Sequence, residues 1–498
     1  MSETATIGLR RFSRTRTGDE ELALDVPESK PSMHQRETST SVVQRWQRTG
    51  KRRVGVSESL KALVFSSWLN LLLVFVPIAW VAHFSNESNK DDPQKVFPYT
   101  VTFIMCFLAI IPLEKIFDFC GEQMAFYLGE DLGELLIITL NNTVEATLAI
   151  ILLKKCELRL LQSTIIGVVV LHLLLVPGVA FVTGGARIVE QELHPHLAGL
   201  NQSLLIIGVL TLMLPASFFA ALDSGVVPTT AAQAQLADTL ISDTTRTVFL
   251  QMSRGLAILL LGVYICSRIY LHDPPGENVA LADHKLAPEA LRARAQQKEE
   301  LEPEVNPYVC LAVIAVTIGI MAATAEWLVD SIEFVREEGG ITQEFFGVVI
   351  LPLVSFSGDG FLSIVYFLRS CLLWARGIRA PPGQLANARP IDLSIQFLHF
   401  WLPFIVLLGW WTDKPMSLLF DLFEVAVLVG AAFIVNYVVA DAKTNWLEGF
   451  AMMAFYLMIA LCMWFYAGQE GVQLLLGEDC KSVLETVASS NSTDALFS

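Results

Sequence analysis

Charge is scarce in this 498-residue chain: 17% of the residues are charged against 53% hydrophobic, and the mean hydropathy is +0.52. A soluble protein of this length needs a more polar surface, so the balance excludes an ordinary soluble multidomain protein. Cysteine is sparse as well, eight residues set singly with no CxxC pair and no alternating Cys/His cluster. Cys106, Cys266 and Cys371 fall inside apolar blocks, and the set reads as small packing residues, not as a disulfide frame or a zinc site. The absence of a GxxxxGK[ST] phosphate loop argues against an ATP-driven pump. Ser357-Gly358-Asp359 faintly suggests an intramembrane aspartyl protease, but such enzymes use a second aspartate in a Tyr-Asp pair, and that dipeptide does not occur. Neither enzymatic activity nor a cofactor nor a nucleic-acid partner is expected. No apolar run follows a basic N-terminal stretch, so the first membrane helix, beginning near Lys61, is expected to target the chain itself.

What the chain has instead is oil gathered into blocks of roughly twenty residues, the length that crosses a hydrocarbon core about 30 Å thick. These blocks predict about eleven spans, near 61–84, 97–117, 133–153, 160–182, 202–222, 247–270, 307–329, 345–371, 392–411, 416–440 and 446–467. The fold class is therefore an all-α polytopic membrane protein with the lipid bilayer as its solvent. Residues 1–58, rich in Ser, Thr, Arg and Glu, are expected to form a disordered cytosolic tail. A first membrane helix and a lumenal loop occupy 59–96, a first five-helix repeat 97–272, an acidic linker 273–306 with Glu299, Glu300, Glu302 and Glu304, a second repeat 307–470 and a C-terminal tail 471–498. Five spans per half is an odd number, so the halves are inverted, the plan that places a transport site near the midplane.

The net charge of −16 says less than where the basic residues stand. Arg45, Arg48, Lys51, Arg52 and Arg53 precede the first span and put the N-terminus in the cytosol. Alternation puts Arg292, Arg294, Lys298, Arg376, Arg379 and Arg389 on that side too. Lys154 and Lys155 fall on the opposite, lumenal side, against the tendency. The glycosylation sequons at Asn86 and Asn491 are also predicted to be lumenal.

Two polar clusters interrupt the oil at corresponding spans. Asn141-Asn142-Thr143-Val144-Glu145 stands midway along the third span, and Asn142 and Glu145, three apart, share a helical face. A carboxylate with amides at that depth is costly in lipid and marks a polar interior. The eighth span carries Pro352 to Gly360, where a proline, two glycines, Ser355, Ser357 and Asp359 predict a broken helix of the kind tolerated only beside protein or a cavity. Glu145 and Asp359 would meet near the midplane and bind a cation when ionised and release it when protonated, with Asn142, Thr143, Ser357, Gln396 and backbone carbonyls completing an oxygen shell. His172, His399 and Glu424 are candidate proton carriers, although an isolated His in an apolar span is more often bonded within the core. Glu114, Glu122, Glu326, Asp330 and Glu333 fall near predicted span ends, where solvation accounts for them.

From Leu60 to Gly468 the sequence resembles the CAX-type cation/proton exchangers of the calcium/cation antiporter superfamily. The resemblance rests on FSSWLNLLLVFVP at 65–77, GEDLGELLIITLNNTVE at 129–145, PFIVLLGW at 403–410 and FEVAVLVGAAFIVNYVVADAKTNWLEG at 423–449. It implies eleven spans and two repeat motifs, GNATE-like and GNAAEH-like, whose acids bind calcium or protons alternately. Asn142 and Glu145 match the first motif, with Asn141 in place of its glycine. Of the second only the acid survives, as Asp359, with Ser355, Phe356 and Gly360 at its Gly, Asn and His. Val168 and His172 replace a Ser and an Asn of a GSxxSN-like run, while Ser394 and Gln396 match a SSxQ-like run. The implied activity is exchange of a metal cation, nominally calcium, for protons across an acidic-organelle membrane such as the vacuole. Fewer oxygens leave a monovalent cation or manganese as alternative cargo, and a non-transporting paralogue acting as a sensor as the other class; oligomeric state stays open.

Overall fold

The structure, a computed structural model, describes residues 46, 54–88, 97–185, 191–192, 195–223, 241–272, 303–376, 389–440, 443–477, 480–483 and 485. The tail at 1–58 is thus almost wholly, and the acidic linker mostly, outside the described residues, as is Asn491. Among the described residues the chain is helical apart from one two-stranded antiparallel ladder, β1 (Gln191–Glu192) with β2 (Lys443–Thr444). Eight helices are long and apolar enough to cross a membrane singly, or ten if each of two bent pairs crosses once. The tenth predicted span is a shorter helix, Leu422–Val438.

The first span is not one straight helix. α1 (Val56–Phe65) is followed by a 3-10 turn, Trp68–Val74, and then α2 (Phe75–Ser88). Asn70 causes the interruption: its amide donates to Leu63 O at 2.9 Å and Val64 O at 3.3 Å, taking the carbonyls a continuous helix would have used. Asn86 is buried, and its amide donates to Phe97 O at 3.2 Å, which leaves no room for the glycan its sequon allows.

The first half continues with α3 (Tyr99–Leu128), α4 (Glu130–Asn141), α5 (Thr143–Lys154), α6 (Leu158–Val170), α7 (Val176–Gly185), α8 (Pro195–Asp223) and α9 (Asp243–His272). The second consists of α10 (Pro307–Gly339), α11 (Gln343–Phe345), α12 (Pro352–Ala375), α13 (Arg389–Gln396), α14 (Leu402–Trp411), α15 (Leu422–Val438) and α16 (Trp446–Trp464), followed by α17 (Glu470–Leu476). Local sequence sets many of these ends. Asn306 caps α10 with Pro307 at its first position, Gly340 closes it in the left-handed region, and Asn445 with Glu448 forms a capping box on α16.

Three short π-helical segments, Leu171–Leu175, Phe346–Ile350 and Phe397–Trp401, each end two residues before a proline: Pro177, Pro352 and Pro403. Proline has no N–H to give and its ring crowds the carbonyl four residues back, so the helix widens just before it. The first and third of these lie in the third span of their respective halves. The second span of each half is bent, by 50° between Leu132–Asn141 and Thr143–Lys154, and by 58° between Gln343–Gly358 and Gly360–Leu373. Corresponding spans of the two halves thus carry corresponding irregularities.

The tenth span starts later than hydropathy predicts. Residues 416–421 are buried but not helical, and their backbone is satisfied by side chains: Gln162 donates to Ser417 O and Leu419 O at 3.0 Å, and Leu418 N donates to Ser253 Oγ at 2.8 Å. The helix begins where Asp421 accepts from Phe423 N at 2.8 Å. The side chains of Glu326 and Asp330 are exposed, as expected of acids near span ends, and each also meets a lysine: Lys154 donates to Glu326 at 3.0 Å, and Lys155 pairs with Asp330. Beside them Cys156 and Cys480 form a disulfide across 324 residues, against the expectation that no cysteines are bridged; a separation that long leaves no sequence signature. Cys106, Cys120 and Cys310 are buried and free, as packing residues.

The halves meet tightly along α6 and the π segment Phe346–Ile350. A Cβ at Gly347 would fall 2.6 Å from Ser163 Cβ, whereas one at Gly319 would meet nothing within 4 Å. Gly347→Ala is expected to cost about 1–3 kcal/mol through overpacking, and Gly319→Ala to be neutral, as thermal melting in detergent will report. Digestion of unreduced protein is expected to yield one cross-linked peptide pair containing Cys156 and Cys480, lost on reduction, by mass spectrometry.

Candidate cation site

The break between α4 and α5 falls at Asn142, which is fully buried and whose backbone leaves the helical region (φ −86°, ψ 4°). A chain break at membrane depth needs partners from the protein. Asn142 finds them in the other half: its amide nitrogen donates to Gln396 Oε1 at 2.9 Å and to Leu393 O at 3.2 Å. Gln396, also buried, donates in turn to Thr139 Oγ1 at 2.9 Å and to the Tyr264 hydroxyl at 3.1 Å. One amide pair therefore ties α4, α9 and α13 together.

Glu145 lies one turn into α5, 2% exposed, with Oε1 3.6 Å from Nε2 of His172. His172 reaches it from the widened turn of the π segment Leu171–Leu175. Ser355 of α12, buried, neighbours the same carboxyl. Among the described residues, Glu145 Oε2, Asn142 Oδ1 and Ser355 Oγ are buried oxygens with no hydrogen-bond partner. Such groups are uncommon in folded proteins, and these oxygens are open to a bound water or ion. Three oxygens from two halves are ligands of the kind hard cations take. Among the described residues no group of three or more His, Cys, Asp or Glu gathers as a metal-binding cluster.

The other expected ligands divide. Gln396 is in the site, but its two amide hydrogens and its oxygen are engaged in the bonds above. Thr143 donates to Thr139 O at 3.0 Å, Ser357 to Val354 O at 2.7 Å and Ser394 to Pro390 O at 3.2 Å, so each hydroxyl is turned onto its own helix. Asp359 lies on α12 at the bend between Gly358 and Gly360, and its side chain is outside the described ones.

Glu424 belongs to a second cluster. It accepts from Ser163 at 2.5 Å, and Ser163 precedes His172 by nine residues, about 13 Å along the helix. Close by, Asp421 accepts from the Tyr466 hydroxyl at 2.8 Å and from Gln469 N at 2.6 Å, while Arg159 pairs with Glu344. Burial, then the bond to Asp421, push the Tyr466 phenol above its ordinary value, which keeps it a donor. His399 sits with Nδ1 3.1 Å from Ile395 O and its ring against Gly208, bonded within the core.

Sequence reasoning missed Ser355 as a ligand oxygen, along with Thr139, Tyr264 and Lys115, and it misplaced Glu114. α3 runs to Leu128, so Glu114 and Lys115, both 7% exposed, stand at the middle of a 30-residue span and not near its end. Solvation does not account for them. Two adjacent charges in an apolar block are the signal that could have found them.

Comparison with known proteins agrees with this architecture. The chain is similar to a vacuolar calcium ion transporter of Cryptococcus neoformans var. grubii, 31% identical over 85% of this chain and 78% of the relative. It is 30% identical to a Ca(2+)/H(+) antiporter of Synechocystis, over 80% of this chain and 96% of that one. The solved structure of native YfkE superposes with a TM-score of 0.55 at 20% identity, covering 80% of this chain and all of the other, and so shares the fold. The model of the sodium/calcium exchanger protein family matches residues 98–271 and 309–465, which take in both bent spans and every residue of the site, and the chain belongs to that family.

Proposed function

We propose that the chain is a secondary antiporter that exchanges a metal cation, nominally calcium, for protons by alternating access across an acidic-organelle membrane, the vacuolar one by analogy with its fungal relative. The observation that carries this reading is the Glu145 carboxylate, buried in the first turn after a helix break, with Oε1 3.6 Å from His172 Nε2 and with Oε2, like Asn142 Oδ1 three residues before it, lacking a hydrogen-bond partner. A carboxylate so placed ligates a cation when ionised and gives it up when protonated, so the same oxygens serve cargo and proton in turn. His172, within reach of Glu145, supplies a place for the proton to go. Asp359, at the corresponding bend of the second half, completes the pair of acids. With its N-terminus in the cytosol, the chain would load the lumen at the expense of the proton gradient.

Calcium takes six to eight oxygens, and hydroxyls that the resemblance implies are here turned onto their own helices. Sodium, potassium and manganese are therefore part of the test. In proteoliposomes with a preset pH gradient, one of Ca²⁺, Mn²⁺, Na⁺ or K⁺ is expected to collapse the gradient, and Glu145→Gln to abolish the effect. Folded protein that moves protons with none of them would favour the non-transporting reading. Ser355→Ala, which removes an open oxygen, is expected to raise the apparent KM for the cation about tenfold, or about 1.4 kcal/mol. Ser163→Ala, in the second cluster, is expected to leave that KM unchanged.

A further inference from the structure

Lys115 is the feature of this membrane core that cation exchange by the site described above does not use. It stands at the middle of α3 with its side chain 7% exposed, where an unpaired charge is costly. Its Nζ donates to Asp118 Oδ2 at 2.7 Å. The other oxygen of Asp118 accepts from Asn141 at 2.7 Å, with that amide turned so that its nitrogen faces the carboxylate and also reaches Ile137 O at 3.0 Å. Asn141 is the last residue of α4 before the break, four residues ahead of Glu145. On its other side the lysine touches the second half: a Cβ at Gly358, the residue before Asp359, would fall 3.1 Å from Lys115 Cε. A fixed ammonium thus lies between the two bends, connected to one through Asp118 and Asn141 and packed on the other.

The geometry points to Lys115 as a built-in cation of the transport site, a specificity-determining residue that sets the balance between monovalent and divalent cargo. This inference rests on the exchanger reading. The acids near the lysine include Asp118 and its chain neighbour Glu114, and Asp359 follows the Gly358 on which the lysine packs; a cation drawn to the acids of the site is repelled by the ammonium. The Coulomb term grows in proportion to the charge of the cargo. A divalent ion therefore loses twice the free energy that a monovalent ion loses, and the fold-change in affinity for the divalent ion is the square of that for the monovalent one. A residue that serves only to hold helices together would shift both affinities alike.

The test is isothermal titration of the purified full-length protein in detergent with Ca²⁺ and with Na⁺, for wild type, Lys115→Gln, Lys115→Arg and Glu145→Gln, each checked for folding by its melt. Lys115→Gln keeps a donor for Asp118 and drops the charge; it is expected to tighten Na⁺ about threefold and Ca²⁺ about tenfold, while Lys115→Arg, which keeps the charge, stays near wild type. Equal changes for the two ions, or none, overturn the inference. If wild type binds and Glu145→Gln does not, while Lys115→Gln follows wild type, only the role of Lys115 falls. If no protein binds either ion, the exchanger reading falls and this one with it. Should Lys115→Gln not fold, Asp118→Asn replaces it: leaving the ammonium uncompensated is expected to weaken Ca²⁺ more than Na⁺ in the same squared relation, and equal weakening overturns the proposal.

Discussion

Hydrocarbon offers no hydrogen bonds, so every polar group at a helix break inside a membrane must find its partner within the protein. In this chain the contact the rest depends on is the buried amide pair of Asn142 and Gln396. It covers the break between α4 and α5, joins it to the third span of the opposite half, and recruits Thr139 and Tyr264 through the remaining hydrogens of Gln396. The break in turn exposes the first turn of α5, which is where Glu145 sits. The backbone at the break is satisfied along the chain itself, Asn142 N donating to Ile138 O at 3.2 Å and Ala146 N to Asn142 O at 3.0 Å, while the pair satisfies the two buried side-chain amides and ties the turn that carries Glu145 to the opposite half.

Proline solves a related problem by a different route. Each of the three π segments widens the helix just ahead of a proline, and in the third span of each half the widened turn carries a histidine. The two histidines have different fates. His399 is held on Ile395 O, packed against Gly208, and is part of the core. His172 points at Glu145. The halves share their irregularities but not their chemistry, and the site is assembled mainly from the break of the first half and the helices that close over it.

Much of the fold was legible, because span length and hydropathy depend on the chain alone. The eighth span was marked as broken by its proline and glycines and is bent; the third was read as a continuous helix with Asn142 and Glu145 on one face, and the break at Asn142 corrects that. Misreadings came where a partner distant in sequence settles the matter. The 3-10 turn in the first span follows from one side chain, Asn70, folding back on carbonyls before it. The late start of α15 follows from Gln162 and Ser253, which hold an extended segment that hydropathy reads as helix. Lys154 and Lys155 meet Glu326 and Asp330, acids 172 and 175 residues away that no local pattern pairs with them.

For the site, the sequence by itself determined which acids and amides would be drawn inward: Glu145, Asn142 and Gln396 are too polar to face lipid, and residue type fixes that cost whatever the packing. Only the tertiary structure decided which oxygens remain open. Thr143, Ser357 and Ser394 turn onto their own helices, while Ser355, Asn142 and Glu145 keep oxygens unused, because a hydroxyl bonds to the nearest carbonyl unless its neighbours hold it away. The same holds for Lys115 and Asp118: the sequence supplies the charges, but how deep they lie, and what they face, depends on where α3 ends and on which helix crosses it.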